Sequence, residues 1–131
     1  MLNEPRWLPP EYLIGLNREL VALTGEPHGL RDPGLLESAA AKPINHYHYG
    51  EEDVVVLAVT LLLGIARNHP FVQGNKRTAL AAADDFLHLN GYELSIADTE
   101  AFADLIVSAL TGEISEQALA DELGRHVVPR G

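Results

Sequence analysis

Apolar residues recur every three to four positions along most of this chain, and proline, glycine and short polar stretches separate the segments that keep that rhythm. Glu11 to Leu23 sets Leu13, Leu16, Leu20 and Leu23 on one stripe between Pro9-Pro10 and Thr24-Gly25, which predicts a first helix. Asp32-Pro33, a capping residue followed by proline at the first helical position, opens a second helix through about Ala41. Pro43 is expected to stop it, so Ile44 to Gly50 reads as a loop or short hairpin. Glu51, Glu52 and Asp53 then place three carboxylates in the first turn of a long helix, where the backbone dipole favours them. Val54 to Asn68 is apolar on nearly every side, as a helix surrounded by others must be. Its valines alone would suit a buried strand; its length and acidic start decide for helix.

After a loop, His69 to Gly74, a further helix is expected from Asn75 to Asn90, with Gly91 as its stop. Asp98 reads as the cap of another, ending near Thr111-Gly112, and Ser115 as the cap of a last one reaching about Arg125. About six helices with almost no strand signal predict an all-α bundle. The expectation is one domain over residues 1–131, with its core in about residues 10–125.

Composition narrows the field. Hydrophobic residues make up 47% of the chain, enough for a packed core and too many for disorder. There is no cysteine, which excludes disulfides and thiolate metal sites. The longest apolar stretch, Val54 to Ala66, falls short of the roughly 20 residues a bilayer-spanning helix needs. The polar, proline-rich start carries no apolar signal segment, and a soluble cytoplasmic protein with no membrane partner is expected. The formal net charge of −10 repels phosphate backbones, so bulk nucleic-acid binding is not expected. Any anion must be held by a local cluster of donors working against that field.

One such cluster exists, in His69-Pro70-Phe71-Val72-Gln73-Gly74-Asn75-Lys76-Arg77-Thr78-Ala79-Leu80. Gly74 allows a tight turn and close approach of a ligand. The first amides of the following helix point unsatisfied N–H groups back toward the loop, with the positive end of the dipole behind them. Asn75, Lys76 and Arg77 add side-chain donors at the same end, so the whole forms an anion cradle suited to a di- or triphosphate. Adjacent cations are usually an ordinary solvated pair, but at a helix start the dipole disfavours them, which argues for an anion there. His69 can take a proton from an incoming hydroxyl, because an imidazole titrates close to working pH. The pattern is not a Walker A loop, which needs glycine directly before Lys-Ser/Thr.

This segment resembles the Fic/Doc signature, H-x-F-x-[D/E]-[G/A]-N-[G/K]-R. Gly29-Leu30-Arg31-Asp32-Pro33-Gly34-Leu35-Leu36-Glu37-Ser38-Ala39 resembles the family's upstream helix, and Phe86-Leu87-His88-Leu89-Asn90-Gly91-Tyr92 the end of its motif helix. The resemblance covers about residues 10–125. Lys76 and Leu80 stand where nucleotidyl-transferring members usually have glycine and a second arginine, as in the N-K-R-T-A-L of the Doc branch. A lysine fills space that a glycine leaves for the α-phosphate, and without the second arginine one grip on the triphosphate is gone. The resemblance implies an enzyme with His69 as base and Gly74, Asn75, Lys76 and Arg77 on the phosphates of ATP. It implies transfer of the γ-phosphate to a threonine of elongation factor Tu, a halt to translation, and pairing with a Phd-like antitoxin. The family's inhibitory motif, Ser/Thr-x-x-x-Glu-Gly/Asn, is absent from the chain, in keeping with inhibition in trans.

One position departs from the pattern. The acidic residue that helps hold Mg²⁺ is here Gln73, whose amide oxygen can ligate the ion but brings no charge. Three outcomes stay open: metal held mainly by the nucleotide, a carboxylate from elsewhere, or a weakened enzyme. Nucleotidyl transfer, and a catalytically impaired binding module for an antitoxin, are the alternative readings. The family keeps a flap near Ile44, Asn45, His46, Tyr47, His48 and Tyr49, which would pair its backbone with an extended target segment. His46 and His48 lack nearby carboxylate or cysteine partners for a metal. Arg67, near the motif, is a further candidate for the nucleotide, and Asp84-Asp85 reads as a solvated face.

Overall fold

A computed structural model describes residues 3–97 and 99–131. It contains helices α1 (Pro10–Leu23), α2 (Pro33–His48), α3 (Val54–Asn68), α4 (Asn75–Leu89), α5 (Thr99–Leu110) and α6 (Glu116–Gly124), with short strands β1 (Tyr92–Leu94) and β2 (Val127–Pro129). The chain is all-α in class, as its periodicity predicts. None of the helices among the described residues is long and apolar enough to cross a membrane.

α3 is the central element. Leu57, Leu61, Leu62, Leu63 and Ile65 are buried on its several faces, and α2, α4, α5 and α6 all pack on it. Burial of such side chains contributes about 1.5–3 kcal/mol each, which outweighs the weak helix propensity of its opening valines. Glu51, Glu52 and Asp53 do not form its first turn, as expected, but precede it. Asp53 is the N-cap, with Oδ1 accepting from Val55 N–H at 2.9 Å, while Glu51 Oε2 accepts from Asp53 N–H at 3.0 Å.

Pro43 does not end α2. It is buried inside a helix that continues to His48, so the expected loop or hairpin at residues 44–50 is replaced by helical turns. Proline in a helix interior removes a backbone bond and costs about 3 kcal/mol; packing supplies the compensation. Leu36, Ala39, Ala40 and Pro43 bury one face of α2 against α3. Gly64 lets the two axes come close: a Cβ there would lie 3.4 Å from Ala39 Cα and 3.5 Å from Ala39 O, the carbonyl that Pro43 has no N–H to satisfy. Further along, His46 Nδ1 and Thr60 Oγ1 of α3 are 3.2 Å apart, and the Tyr47 ring meets Trp7 edge-on at 5.8 Å.

Three other expectations change. The buried stripe of α1 is Leu13, Asn17 and Val21, a strict four-residue spacing, and Leu23 is 83% exposed. The core reaches upstream of residue 10, since Leu8 is buried and Trp7 stacks on Phe86 at 5.7 Å. The small sheet pairs Tyr92 with Pro129, Glu93 with Val128 and Leu94 with Val127, antiparallel. Strands of three residues leave no alternation long enough to read from sequence. The capping role expected of Asp98 lies outside the described residues; Ser115 does cap α6, accepting from Ala118 N–H at 3.0 Å.

α1 reaches α4 through the Tyr12 hydroxyl, which donates to Asp85 Oδ2. That hydrogen bond, then burial, pushes the Tyr12 phenol up to about 12. A folded value raised above the ordinary 10 stabilises the fold below pH 10 and ceases to do so as pH rises through 12. Absorbance titration of tyrosinate should therefore show one of the four tyrosines ionising near 12, a step missing from Tyr12→Phe. The variant's unfolding midpoint should be less sensitive to pH between 10 and 12.

Candidate active site

α3 ends at His69, whose backbone turns into the left-handed region (φ 48°, ψ 55°) while its N–H still bonds Ile65 O at 3.2 Å. It is the one non-glycine residue with positive φ among the described residues. That conformation favours glycine, so a histidine there carries strain. Pro70 follows and prevents the helix from continuing. The His69 side chain is exposed to solvent.

Residues 29–32 hold the loop from one side. Leu30 and Phe71 form an antiparallel bridge, Val72 N–H donates to Gly29 O at 2.9 Å, and Arg31 and Asp32 N–H both donate to Pro70 O, at 2.7 and 3.1 Å. Gly29 is required for this approach, because a Cβ would sit 2.7 Å from Val72 Cγ2. The Arg31 side chain adds bonds from Nε to His69 O at 2.6 Å and from Nη2 to Asn68 O at 2.9 Å. α1 holds the other side. Buried Asn17 donates from Nδ2 to Gln73 O at 2.8 Å and to Thr78 Oγ1 at 3.0 Å, and its Oδ1 accepts from His28 Nδ1 at 3.1 Å.

The loop closes on itself through Asn75. Its Oδ1 accepts from Phe71 N–H at 3.0 Å and its Nδ2 donates to Phe71 O at 2.9 Å, in a buried pair. Asn75 is thus the clamp of the loop, and one N–H of its amide is spent on Phe71 O. Phe71 is the buried anchor. The N-cap of α4 is Gly74 (φ 75°), which has no side chain to cap the helix, and Gly74 O accepts from Thr78 N–H at 2.9 Å. The backbone N–H groups of Asn75, Lys76 and Arg77 accordingly have no acceptor among the described residues. Three parallel donors at the positive end of a 15-residue helix are the physical basis of an anion site.

The cations divide. Lys76 is exposed and has no hydrogen-bond or ion-pair partner among the described residues. Arg77 is held by the loop after α1, donating from Nη1 to Thr24 Oγ1 at 3.2 Å and from Nη2 to Glu26 Oε1. The Thr24 hydroxyl, and after it the Arg77 guanidinium, hold the Glu26 carboxyl below its usual range. This pair is half exposed and so weak enough to exchange for a phosphate. Arg67 points elsewhere than expected: its Nη1 bonds Glu116 Oε1 of α6 at 3.1 Å.

Gln73 has an exposed side chain, and only its carbonyl is tied down. No group of three or more His, Asp or Glu side chains within reach of one metal ion occurs among the described residues. One neutral amide oxygen does not make a Mg²⁺ site, since that ion prefers carboxylates together with substrate phosphates. The expected flap is not a strand edge. Ile44, Asn45, His46, Tyr47 and His48 spend their backbone groups inside α2, His48 stacks edge-on against Tyr47, and Tyr49 is the exposed C-cap. Two apolar hollows instead flank the start of α4. One of about 360 Å³ lies between Leu20, Leu80, Leu94 and Ile96, and one of about 200 Å³ between Leu80, Ala103 and Ile106; Arg77 borders both.

Two residues escaped the sequence reading. Arg31 stood in a segment noted for its motif alone, and Asn17 sat unremarked among the leucines of α1. The signal for Asn17 was its four-residue spacing from Leu13 and Val21, which puts a polar side chain on the buried stripe.

A family model described as Fic/DOC family matches residues 7–87. The chain is similar to "Protein kinase doc" of Escherichia phage P1, 39% identical over 121 residues, covering 92% of this chain and 94% of that protein. It is also similar to "Toxin Doc" of Mycolicibacterium smegmatis, 42% identical over 98 residues, covering 72% of this chain and 75% of that protein.

Gly74 is the position where a single methyl group tests the cradle. Alanine would be strained by its positive φ and would press on Val21 Cγ1 at 3.0 Å. Gly74→Ala is expected to lose about 1–2 kcal/mol of stability in urea unfolding. Its affinity for a polyphosphate, measured by calorimetry, should fall more than that of a variant altered at Leu23 on the exposed face of α1.

Proposed function

The chain belongs to the Fic/DOC family, and from that premise we propose that it is a Doc-type toxin acting as a protein kinase. In this reading ATP is the co-substrate, a threonine hydroxyl of elongation factor Tu is the acceptor, and a Phd-like antitoxin restrains the enzyme. The observation that carries it is the uncapped start of α4, where three N–H groups and the Lys76 side chain have no partner among the described residues, next to a loop that begins at an exposed histidine.

The chemistry follows from that placement. The polyphosphate rests on the N–H groups of Asn75, Lys76 and Arg77, with the Lys76 ammonium neutralising part of its charge. Arg77 turns from Glu26 to the phosphates. His69 accepts the proton of the threonine hydroxyl as its oxygen bonds to the γ-phosphorus. The bond from that phosphorus to the bridging oxygen breaks, and ADP leaves. The transferring group carries its charge on three equatorial oxygens, so positioned donors supply most of the catalysis. Mg²⁺ fits only as an ion brought by the nucleotide's own phosphates, and no step depends on a protein-held metal. Lys76 in place of glycine and Leu80 in place of a second arginine favour phosphoryl over nucleotidyl transfer.

Gln73 supports a second reading, a catalytically impaired module that keeps the fold as an antitoxin partner. The two are separated by incubating the protein with purified elongation factor Tu and labelled ATP. The kinase reading expects label from the γ-phosphate and none from the α-phosphate. His69→Ala should lower that rate by about 10²–10⁴ without unfolding the chain. Label from the α-phosphate, or an unimpaired His69→Ala, would defeat it. Gln73→Asp is expected to raise the Mg²⁺-dependent rate; an impaired module would gain activity that the unaltered chain lacks altogether.

A further inference from the structure

Three consecutive carbonyls at the end of α3 accept hydrogen bonds from a single residue of a distant segment. The Arg31 guanidinium takes Asn68 O and His69 O, and the Arg31 backbone N–H takes Pro70 O. The residue at the centre of this grip is the strained one, His69, at φ 48°. Its imidazole direction follows from its backbone, because the Cα–Cβ bond swings with φ and ψ. A histidine released from the left-handed region would relax to an ordinary conformation and carry its ring away from the loop.

The grip has the right chemistry for this task. The last carbonyls of a helix lie at its negative end, where a cation is favoured, and bonds from a guanidinium are charge-assisted. Arg31 spans two adjacent carbonyls with its planar fork, which a lysine cannot do. Among the described residues its bonds to this loop go to Asn68, His69 and Pro70 and none to residues 73–77, so it acts on the histidine end of the loop and not on the phosphate end. The side chain is exposed, and water can replace it on the carbonyls, so its loss costs little to the fold.

We propose that Arg31 is a positioning residue of the transfer reaction: by holding the carbonyls of Asn68, His69 and Pro70 it aims the His69 imidazole at the hydroxyl to be deprotonated. This rests on the kinase reading above, and its test separates the two. Arg31→Ala is expected to lower kcat on the order of 10²-fold, the scale of a small misplacement of a reacting group, with KM for ATP within about twofold. Arg31→Lys should recover part of the loss. Independently of turnover, the imidazole NMR signals of His69, assigned by their absence from His69→Ala, should be a single set in the unaltered protein and shifted or broadened in Arg31→Ala.

In an active enzyme, an unchanged kcat, or a loss shared equally by KM, overturns the proposal. If the unaltered chain transfers no phosphate, the kinase reading fails while the imidazole signals still decide: moved, they support Arg31 as the positioning group; unmoved, they overturn it. Should Arg31→Ala fail to fold, Arg31→Lys and Arg31→Gln carry the same comparison.

Discussion

The site depends on which donors the backbone carbonyls of the α3–α4 loop accept hydrogen bonds from. Asn68, His69 and Pro70 bond to Arg31 and Asp32, Phe71 to the Asn75 side chain, Gln73 to Asn17 and Gly74 to Thr78. The amides of Asn75, Lys76 and Arg77 have no preceding helical turn to bond to and no acceptor among the described residues. α2, α3 and α6 use Asp32, Asp53 and Ser115 as caps; α1, which follows Pro9, and α4, which follows Gly74, have no side-chain cap. In the proposed reading these unsatisfied amides are where the phosphates rest.

The same loop reconciles two opposed needs. In the kinase reading, a base must be exposed to meet a macromolecular hydroxyl, yet held still enough to react. Exposure comes from placing His69 at a helix end; stillness comes from antiparallel pairing of 29–32 with 69–72 and from the buried Phe71. The chain's formal charge of −10 sets a further constraint. Against that field, only short-range donors would hold a polyphosphate, and one of them, Arg77, is paired with Glu26.

Much of this was legible in the residues. Val54 to Asn68 announced a central helix by its length and lack of a polar face, and Gly74-Asn75 announced the start of another beside a cluster of cations. The helix ends at Leu23, Asn68 and Leu110 and the Ser115 cap followed from turn and capping chemistry that acts over a few positions. The resemblance of the motif supplied the activity to test. Other readings failed for a common reason. Pro43 reads as a stop because its local cost is real, and Ile44 to Tyr49 as a flap because nothing local holds them helical. The bond of Asn75 to the Phe71 backbone is a matter of loop shape, which spacing does not show.

The sequence by itself therefore determined the helices and their order, the absence of cysteine chemistry, and a place where an uncapped helix start, a lysine and a histidine meet. These are properties of spacing, propensity and residue type within a turn or two of chain. Tertiary structure alone decided that α2 runs through its proline, that Asn17 and Arg31 brace the loop, and that Arg67 and Arg77 bond to Glu116 and Glu26. Each of those outcomes turns on a partner dozens of residues away, except for the proline, where close packing against Gly64 outweighs a local penalty. Hydrogen bonds and packing contacts reach only a few ångströms, so which distant groups meet is settled when the helices come together.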